Sequence, residues 1–131
     1  VCQRKDNGCW QFPQGGVDGN ETKVEALRRE MREEIGTSKF SIIKSLPNTI
    51  SYNFPEEMQT PISKKYKGQQ QTWYLCRLNK NIAPVFQNEP SDEFVNSKWV
   101  TAQEALSQII YWKKDSYFEG LNQLGLKVEN K

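Results

Sequence analysis

Apolar and polar positions recur at two periods along this chain, and the period decides each element. Val24, Leu27, Met31 and Ile35 are spaced by three and four residues. At about 100° per residue they fall within a band of about 80°, one apolar stripe on a helix. Thr22 with Glu25 three residues on is a capping box, and Gly36 is a C-terminal stop. Thr101 with Glu104 opens a second helix by the same logic, with Ala102, Leu106, Ile109 and Ile110 as its apolar face. A third helix runs from Lys113 to Leu124, with Tyr117, Leu121 and Leu124 repeating at helical spacing.

Extended patterns fill much of the rest. Val1 to Arg4 reads as the end of a strand, and Asp6-Asn7-Gly8 as a turn. A short strand from Trp10 runs into Pro13-Gln14-Gly15-Gly16. Phe40–Ser45, Ile50–Pro55, Gln70–Leu78 and Phe94–Val100 read as further strands. Residues 55–68 and 79–92 are polar, proline-containing loops, and long loops in compact domains are often functional. No repeat or linker interrupts the pattern. Strands and helices alternate irregularly, which predicts an α/β fold, an α/β/α sandwich around a central mixed sheet.

Composition then narrows the chemistry. The 131 residues fit one domain, residues 1–131, and 36% of them are hydrophobic, enough for a core. A net charge of +2 does not by itself imply a nucleic-acid partner. No apolar run is long enough to span a membrane, and no signal-peptide pattern opens the chain. Cys2, Cys9 and Cys76 are an odd number without metal-ligand spacing, which reads as reduced thiols in a cytoplasmic protein. There is no histidine, so Ser-His-Asp and Cys-His catalysis and His-ligated zinc are excluded. Acid–base work falls to carboxylates, lysine, tyrosine or metal-bound water.

The first helix separates its charges. Glu30, Glu33 and Glu34 share one flank, and Arg28 and Arg32 lie across the apolar stripe. Within the helix, Glu30 and Glu34 have no basic residue three or four positions away, and Glu33 has only Arg29. Like charges four apart cost roughly 0.2–0.5 kcal/mol. A hard divalent cation such as magnesium, with oxygen ligands, would offset that. A solvated acidic face is the alternative reading. The lead-in Phe12-Pro13-Gln14-Gly15-Gly16 favours the cation, because glycines let the backbone approach an ion or phosphate closely.

These residues resemble the Nudix box, G-x5-E-x7-R-E-U-x-E-E-x-G-U with U bulky and aliphatic. Gly15, Glu21, Arg29, Glu30, Met31, Glu33, Glu34 and Gly36 fill it at the right spacing, and Thr37 departs from the last U. The words WQFPQGG, Ser51–Pro55, Tyr66–Gln69, Asp92–Phe94, Trp99-Val100 and Trp112–Asp115 resemble a narrower branch. That branch contains bacterial RNA 5′-pyrophosphohydrolases and the diadenosine tetraphosphate hydrolases of bacteria and plants. The resemblance covers nearly the whole chain. It also implies a further strand and hairpin before Val1, so the domain is expected to be N-terminally incomplete.

The resemblance implies roles residue by residue. Glu30, Glu33 and Glu34 would hold magnesium, with manganese as a substitute, together with a backbone carbonyl of Gly15 or Gly16. Glu21 and Arg29 would form an ion pair bracing the loop against the helix. Glu93 falls where the branch has a carboxylate that binds metal or acts as base, so Glu33 and Glu93 are both candidates to take the proton from water. Tyr52 and Trp112 would stack on a nucleobase, or else be ordinary core aromatics. Lys64, Lys65 and Lys67 around Tyr66, with Lys113 opposite and Arg4 near the glycine loop, would steer and clamp phosphates. Gln14 and Gln69 would hydrogen-bond phosphate or metal-bound water.

The implied function is a magnesium-dependent pyrophosphohydrolase acting on 5′-triphosphorylated RNA ends, on dinucleoside polyphosphates such as diadenosine tetraphosphate, or on both. No obligate protein partner is evident. The alternatives are a non-catalytic nucleotide- or RNA-binding module on the same fold and a Nudix hydrolase of another specificity. The intact Glu30, Glu33 and Glu34 weigh against the binding module, which has no need of a repelling triad.

Overall fold

The computed structural model describes residues 1–79 and 94–130. The loop expected over 79–92 lies outside the described residues apart from Asn79, and so does Glu93. Among the described residues no helix is long and apolar enough to cross a membrane.

Strands β1 (Cys2–Arg4) and β2 (Trp10–Gln11) form a hairpin. Its turn needs Gly8, whose φ of 72° is in the left-handed region, and Arg4 and Cys9 close it with a 2.8 Å backbone bond. Strand β7 (Phe94–Ser97) pairs with the other edge of β1. Strand β3 (Phe40–Ser45) pairs with β6 (Tyr74–Leu78), and β4 (Ile50–Asn53) pairs with β5 (Gly68–Gln71). All the described pairings are antiparallel.

Helix α1 (Lys23–Ile35) starts and stops where its caps dictate. Thr22 Oγ1 accepts from the Glu25 amide at 3.1 Å, and the Glu25 carboxylate accepts from the Thr22 amide at 3.0 Å. Gly36 ends it with φ of 79°. The buried side differs from the expected stripe. Val24 is exposed, Leu27 and Met31 are half-buried, and Ala26, Glu34 and Ile35 are buried. Burial therefore reaches round to the acidic flank.

The stretch read as one strand from Gln70 to Leu78 is two. It breaks at Thr72-Trp73, so β5 and β6 belong to different ladders. Trp73 turns inward, stacking edge-on against Phe12 and Tyr117, while its carbonyl accepts from the Leu46 amide at 3.0 Å. The loop over 55–68 also contains a short helix, α2 (Pro61–Lys65). Thr60 caps it, and Pro61 stands first, where a helix has no use for the missing N–H.

Helix α3 (Ala102–Gln108) is followed by a single 3-10 turn (Tyr111–Lys113) and helix α4 (Lys114–Gln123). Among the described residues, Leu106, Ile109, Tyr117, Leu121 and Val128 form the largest core cluster, with Phe12 and Trp73 against it. Gly120 sits inside α4, where glycine costs about 1 kcal/mol relative to alanine. The reason is Trp73: a Cβ at position 120 would lie 2.7 Å from the indole ring.

Candidate active site

Arg29 organises the acidic end of the molecule. Its Nη2 donates to Glu21 Oε1 at 2.6 Å and to the Gly16 carbonyl at 2.7 Å. Its Nη1 donates to Glu30 Oε1 at 2.8 Å and to Glu33 Oε2 at 3.2 Å. Glu30, which has no basic residue one turn away, is thus engaged by its neighbour Arg29, while Glu33 takes the Arg29 one turn before it. Arg29 holds the Glu21 carboxyl below the usual carboxylate range, helped by the Asp18 amide, which Glu21 accepts at 2.7 Å.

The glycine loop lies directly on this flank. A Cβ built on Gly15 would fall 1.9 Å from Glu30 Cδ and 2.2 Å from Oε2. Only glycine lets the backbone come this near the carboxylate. One residue earlier, the Gln14 amide donates to Glu34 Oε2 at 3.1 Å, which gives the buried Glu34 carboxylate a hydrogen-bond partner. Thr37, the departure from the box, is buried as well. Its Oγ1 accepts from the Lys39 amide at 3.0 Å, so the hydroxyl is satisfied.

The donor set is chemically suited to a hard divalent cation: carboxylate oxygens from one helix flank and loop backbone pressed against one of them. Among the described residues, no three carboxylates or thiols converge closely enough to hold an ion. Glu30 and Glu33 instead share Arg29.

A second feature is a recess of about 400 Å³ lined by Ser51, Tyr52, Asn53, Trp112, Asp115 and Ser116. Tyr52 and Trp112 face each other with ring centroids 5.4 Å apart and planes tilted by 55°. Phe54 completes an aromatic trio. Tyr52 is buried and Trp112 is half-buried, so each both packs and lines the recess.

Lys113, expected to clamp phosphate opposite the lysine loop, is buried. Its Nζ lies 5.4 Å from the Tyr52 centroid and 5.2 Å from that of Trp112, and 3.5 Å from Gln11 Oε1. Burial lowers its pKa to about 8, and the charge of Arg4 adds to the effect. Arg4 is held by Asp6 through two bonds of 2.9 and 2.7 Å.

Lys64, Lys65 and Lys67 are exposed. Lys65 Nζ stands 5.3 Å over the Tyr66 ring. Tyr66 and Lys67 line a second recess of about 300 Å³ with Phe54, Met58 and Ser63. Gln14 and Gln69, expected to face phosphate, bond to each other: Gln14 Nε2 donates to Gln69 Oε1 at 3.4 Å.

Two residues escaped the sequence reading. Gln71 Nε2 donates to Gln14 Oε1 at 2.9 Å, and Gln11 supplies the buried partner of Lys113. The signal for Gln71 was present: Gln69 and Gln71 alternate on one face of a strand.

Comparison with known proteins places these features in context. The NUDIX domain family matches residues 1–120. An RNA pyrophosphohydrolase of Helicobacter pylori is 37% identical over 118 residues, covering 89% of this chain and 75% of that protein. Nudix hydrolase 25 of Arabidopsis thaliana is 33% identical over 126 residues, covering 90% and 72%. An RNA pyrophosphohydrolase of Bartonella henselae is 35% identical over 131 residues, covering 94% and 76%.

Proposed function

The chain belongs to the Nudix family, and on that premise we propose that it is a magnesium-dependent pyrophosphohydrolase acting on 5′-triphosphorylated RNA ends. Dinucleoside polyphosphates such as diadenosine tetraphosphate fit the same chemistry as second substrates. The observation that carries the reading is the approach of the Gly15 backbone to the Glu30 carboxylate, a contact that any side chain at position 15 would block. We further propose that residues 1–131 form one domain and that it works in the cytoplasm, in keeping with its free cysteines.

The reaction splits one anhydride P–O bond. Water adds to phosphorus, pyrophosphate leaves, and the RNA end keeps a monophosphate. Glu30, Glu33 and Glu34, with the Gly15 carbonyl, are the residues that would hold magnesium; manganese is the expected substitute. When bound, the ion neutralises phosphate charge and lowers the pKa of water. Glu33 takes the proton from the attacking water, or Glu93 does. Glu21 and Arg29 keep the loop and the carboxylates in register. Tyr52 and Trp112 bind the base of the nucleotide, and Lys113 presents a positive charge behind them. Lys65 and Lys67 hold the outer phosphates, and Arg4 adds charge beside Lys113.

The test offers triphosphorylated RNA and diadenosine tetraphosphate side by side, with and without magnesium. Monophosphorylated RNA and pyrophosphate are expected only with the ion. Glu33→Gln should reduce turnover by about 10²–10⁴-fold with an unchanged circular dichroism spectrum. Release from neither substrate by the intact chain would favour a nucleotide- or RNA-binding module instead.

A further inference from the structure

The recess and the acidic flank are on different elements, yet one unbroken run of hydrogen bonds joins them. The Tyr52 hydroxyl donates to Gln69 Oε1, its cross-strand partner between β4 and β5. The same oxygen accepts from Gln14 Nε2 at 3.4 Å. The Gln14 backbone amide in turn donates to Glu34 Oε2 at 3.1 Å. Gln71 Nε2 donates to Gln14 Oε1 at 2.9 Å and so fixes which way the Gln14 amide points.

We propose that Gln14 is a positioning residue that couples occupancy of the Tyr52–Trp112 recess to the geometry of the Glu30–Glu34 flank. The proposal rests on the function proposed above, since it assumes a nucleoside in the recess and a cation on the flank. Gln14 is suited to this role because it is bonded in both directions. Its backbone holds a carboxylate of the flank, and both ends of its side-chain amide are held by β5. A shift of β5 therefore moves the point from which Glu34 is held.

The bond lengths locate the joint that responds. Two of the contacts at Gln14 are 2.9 and 3.1 Å, in the ordinary range. The Gln14–Gln69 bond, at 3.4 Å, is stretched. Gln69 Oε1 has two lone pairs and can serve Tyr52 and Gln14 together. A base seated against the Tyr52 ring fixes the hydroxyl, and with it Gln69. Tightening of the stretched bond then draws Gln14, and Glu34 with it, into one arrangement. A cation that needs that arrangement binds better when the base is present, and by linkage the base binds better when the cation is present.

The experiment measures Mn²⁺ affinity of the full chain by electron paramagnetic resonance, with and without adenosine. Adenosine carries no phosphate and so brings no anionic group to the ion. In the unaltered chain adenosine should tighten Mn²⁺ binding about fivefold, the lower end of common coupling strengths. Gln14→Ala and Tyr52→Phe, which keeps the ring, should each bring that factor to one. A factor of one in the unaltered chain overturns the relay, and so does a factor that both variants retain. Should Gln14→Ala fail to fold, Tyr52→Phe alone decides. If the unaltered chain binds no Mn²⁺ and hydrolyses neither substrate, the proposed function falls together with the relay. If it binds Mn²⁺ and hydrolyses substrate but adenosine leaves the affinity unchanged, only the relay falls.

Discussion

Arg29 Nη1 lies 2.8 Å from Glu30 Oε1, an ion pair between adjacent residues of one helix. The same nitrogen reaches Glu33 at 3.2 Å. One guanidinium therefore offsets the repulsion between carboxylates that share a flank, and it does so while also bonded to Glu21 and Gly16.

Replacing that guanidinium should leave the repulsion in place. Arg29→Ala should melt several degrees lower than the unaltered chain in chelator. Magnesium should then raise the melting temperature of the variant more than that of the parent, because a cation that binds only the folded form stabilises it by mass action. Scanning calorimetry with and without magnesium measures both. An equal magnesium effect in the two proteins would show that Arg29 does not substitute for cation charge.

Gly15→Ala places a methyl 1.9 Å from Glu30 Cδ, so the loop or the carboxylate has to move. Misplacement on the ångström scale costs about 10²-fold in rate, and a loss of that order in kcat/KM is expected. The melting temperature should change little, since the loop is exposed. Steady-state kinetics on triphosphorylated RNA decides; unaltered kcat/KM would mean that the close approach plays no part in turnover.

Trp112 offers a half-exposed ring to the recess. Trp112→Leu should raise KM for nucleotide substrates about tenfold, within the 1–3 kcal/mol that base–aromatic stacking contributes. Trp112→Phe should recover most of the loss. Equal KM values in all three proteins would assign Trp112 to packing against Phe54 and Tyr52 alone.

Lys113 gives stability a pH dependence of known sign. Its pKa is about 8 in the folded chain, against an ordinary value of 10.5. Between these values the unfolded chain binds the proton and the folded chain does not, so stability rises with pH. Cys2 acts in the opposite sense higher up: burial pushes its thiol from 9.0 to about 11, so stability falls across that interval as the unfolded thiol ionises. Cys76 shares that sense, its thiol also pushed up from 9.0 by burial, so both thiols are present as background from pH 8 to pH 9 and comparison with a variant isolates Lys113. Urea midpoints of the parent should climb there relative to those of Lys113→Met, which keeps both thiols. A parallel climb in both would place its origin elsewhere.

The parts of this structure that were legible in the sequence are those specified locally. Thr22, Glu25 and Gly36 mark the ends of α1 through bonds to their own neighbours, and the spacing of Glu30, Glu33 and Glu34 places them on one flank. Features set by distant residues were not. Thr72-Trp73 reads as strand interior because aromatics favour strands, whereas Trp73 turns inward against Phe12, Tyr117 and the bare backbone at Gly120. Helix α2 is a single short run, too brief for a period to register. Buried Lys113 lies against Gln11 and Tyr52, both distant in the chain, as well as against its neighbour Trp112. Arg29 was placed correctly on its helix, but its reach across to Glu30 is a matter of side-chain conformation.

Trp73 and Gly120 also constrain how this chain can change. Any residue larger than glycine at position 120 collides with the indole, and any residue smaller than tryptophan at position 73 leaves a hole beside a bare helix backbone. Each single replacement is penalised and only a paired exchange restores the fit. The fit thus ties together two positions 47 residues apart in the chain and in contact in the fold.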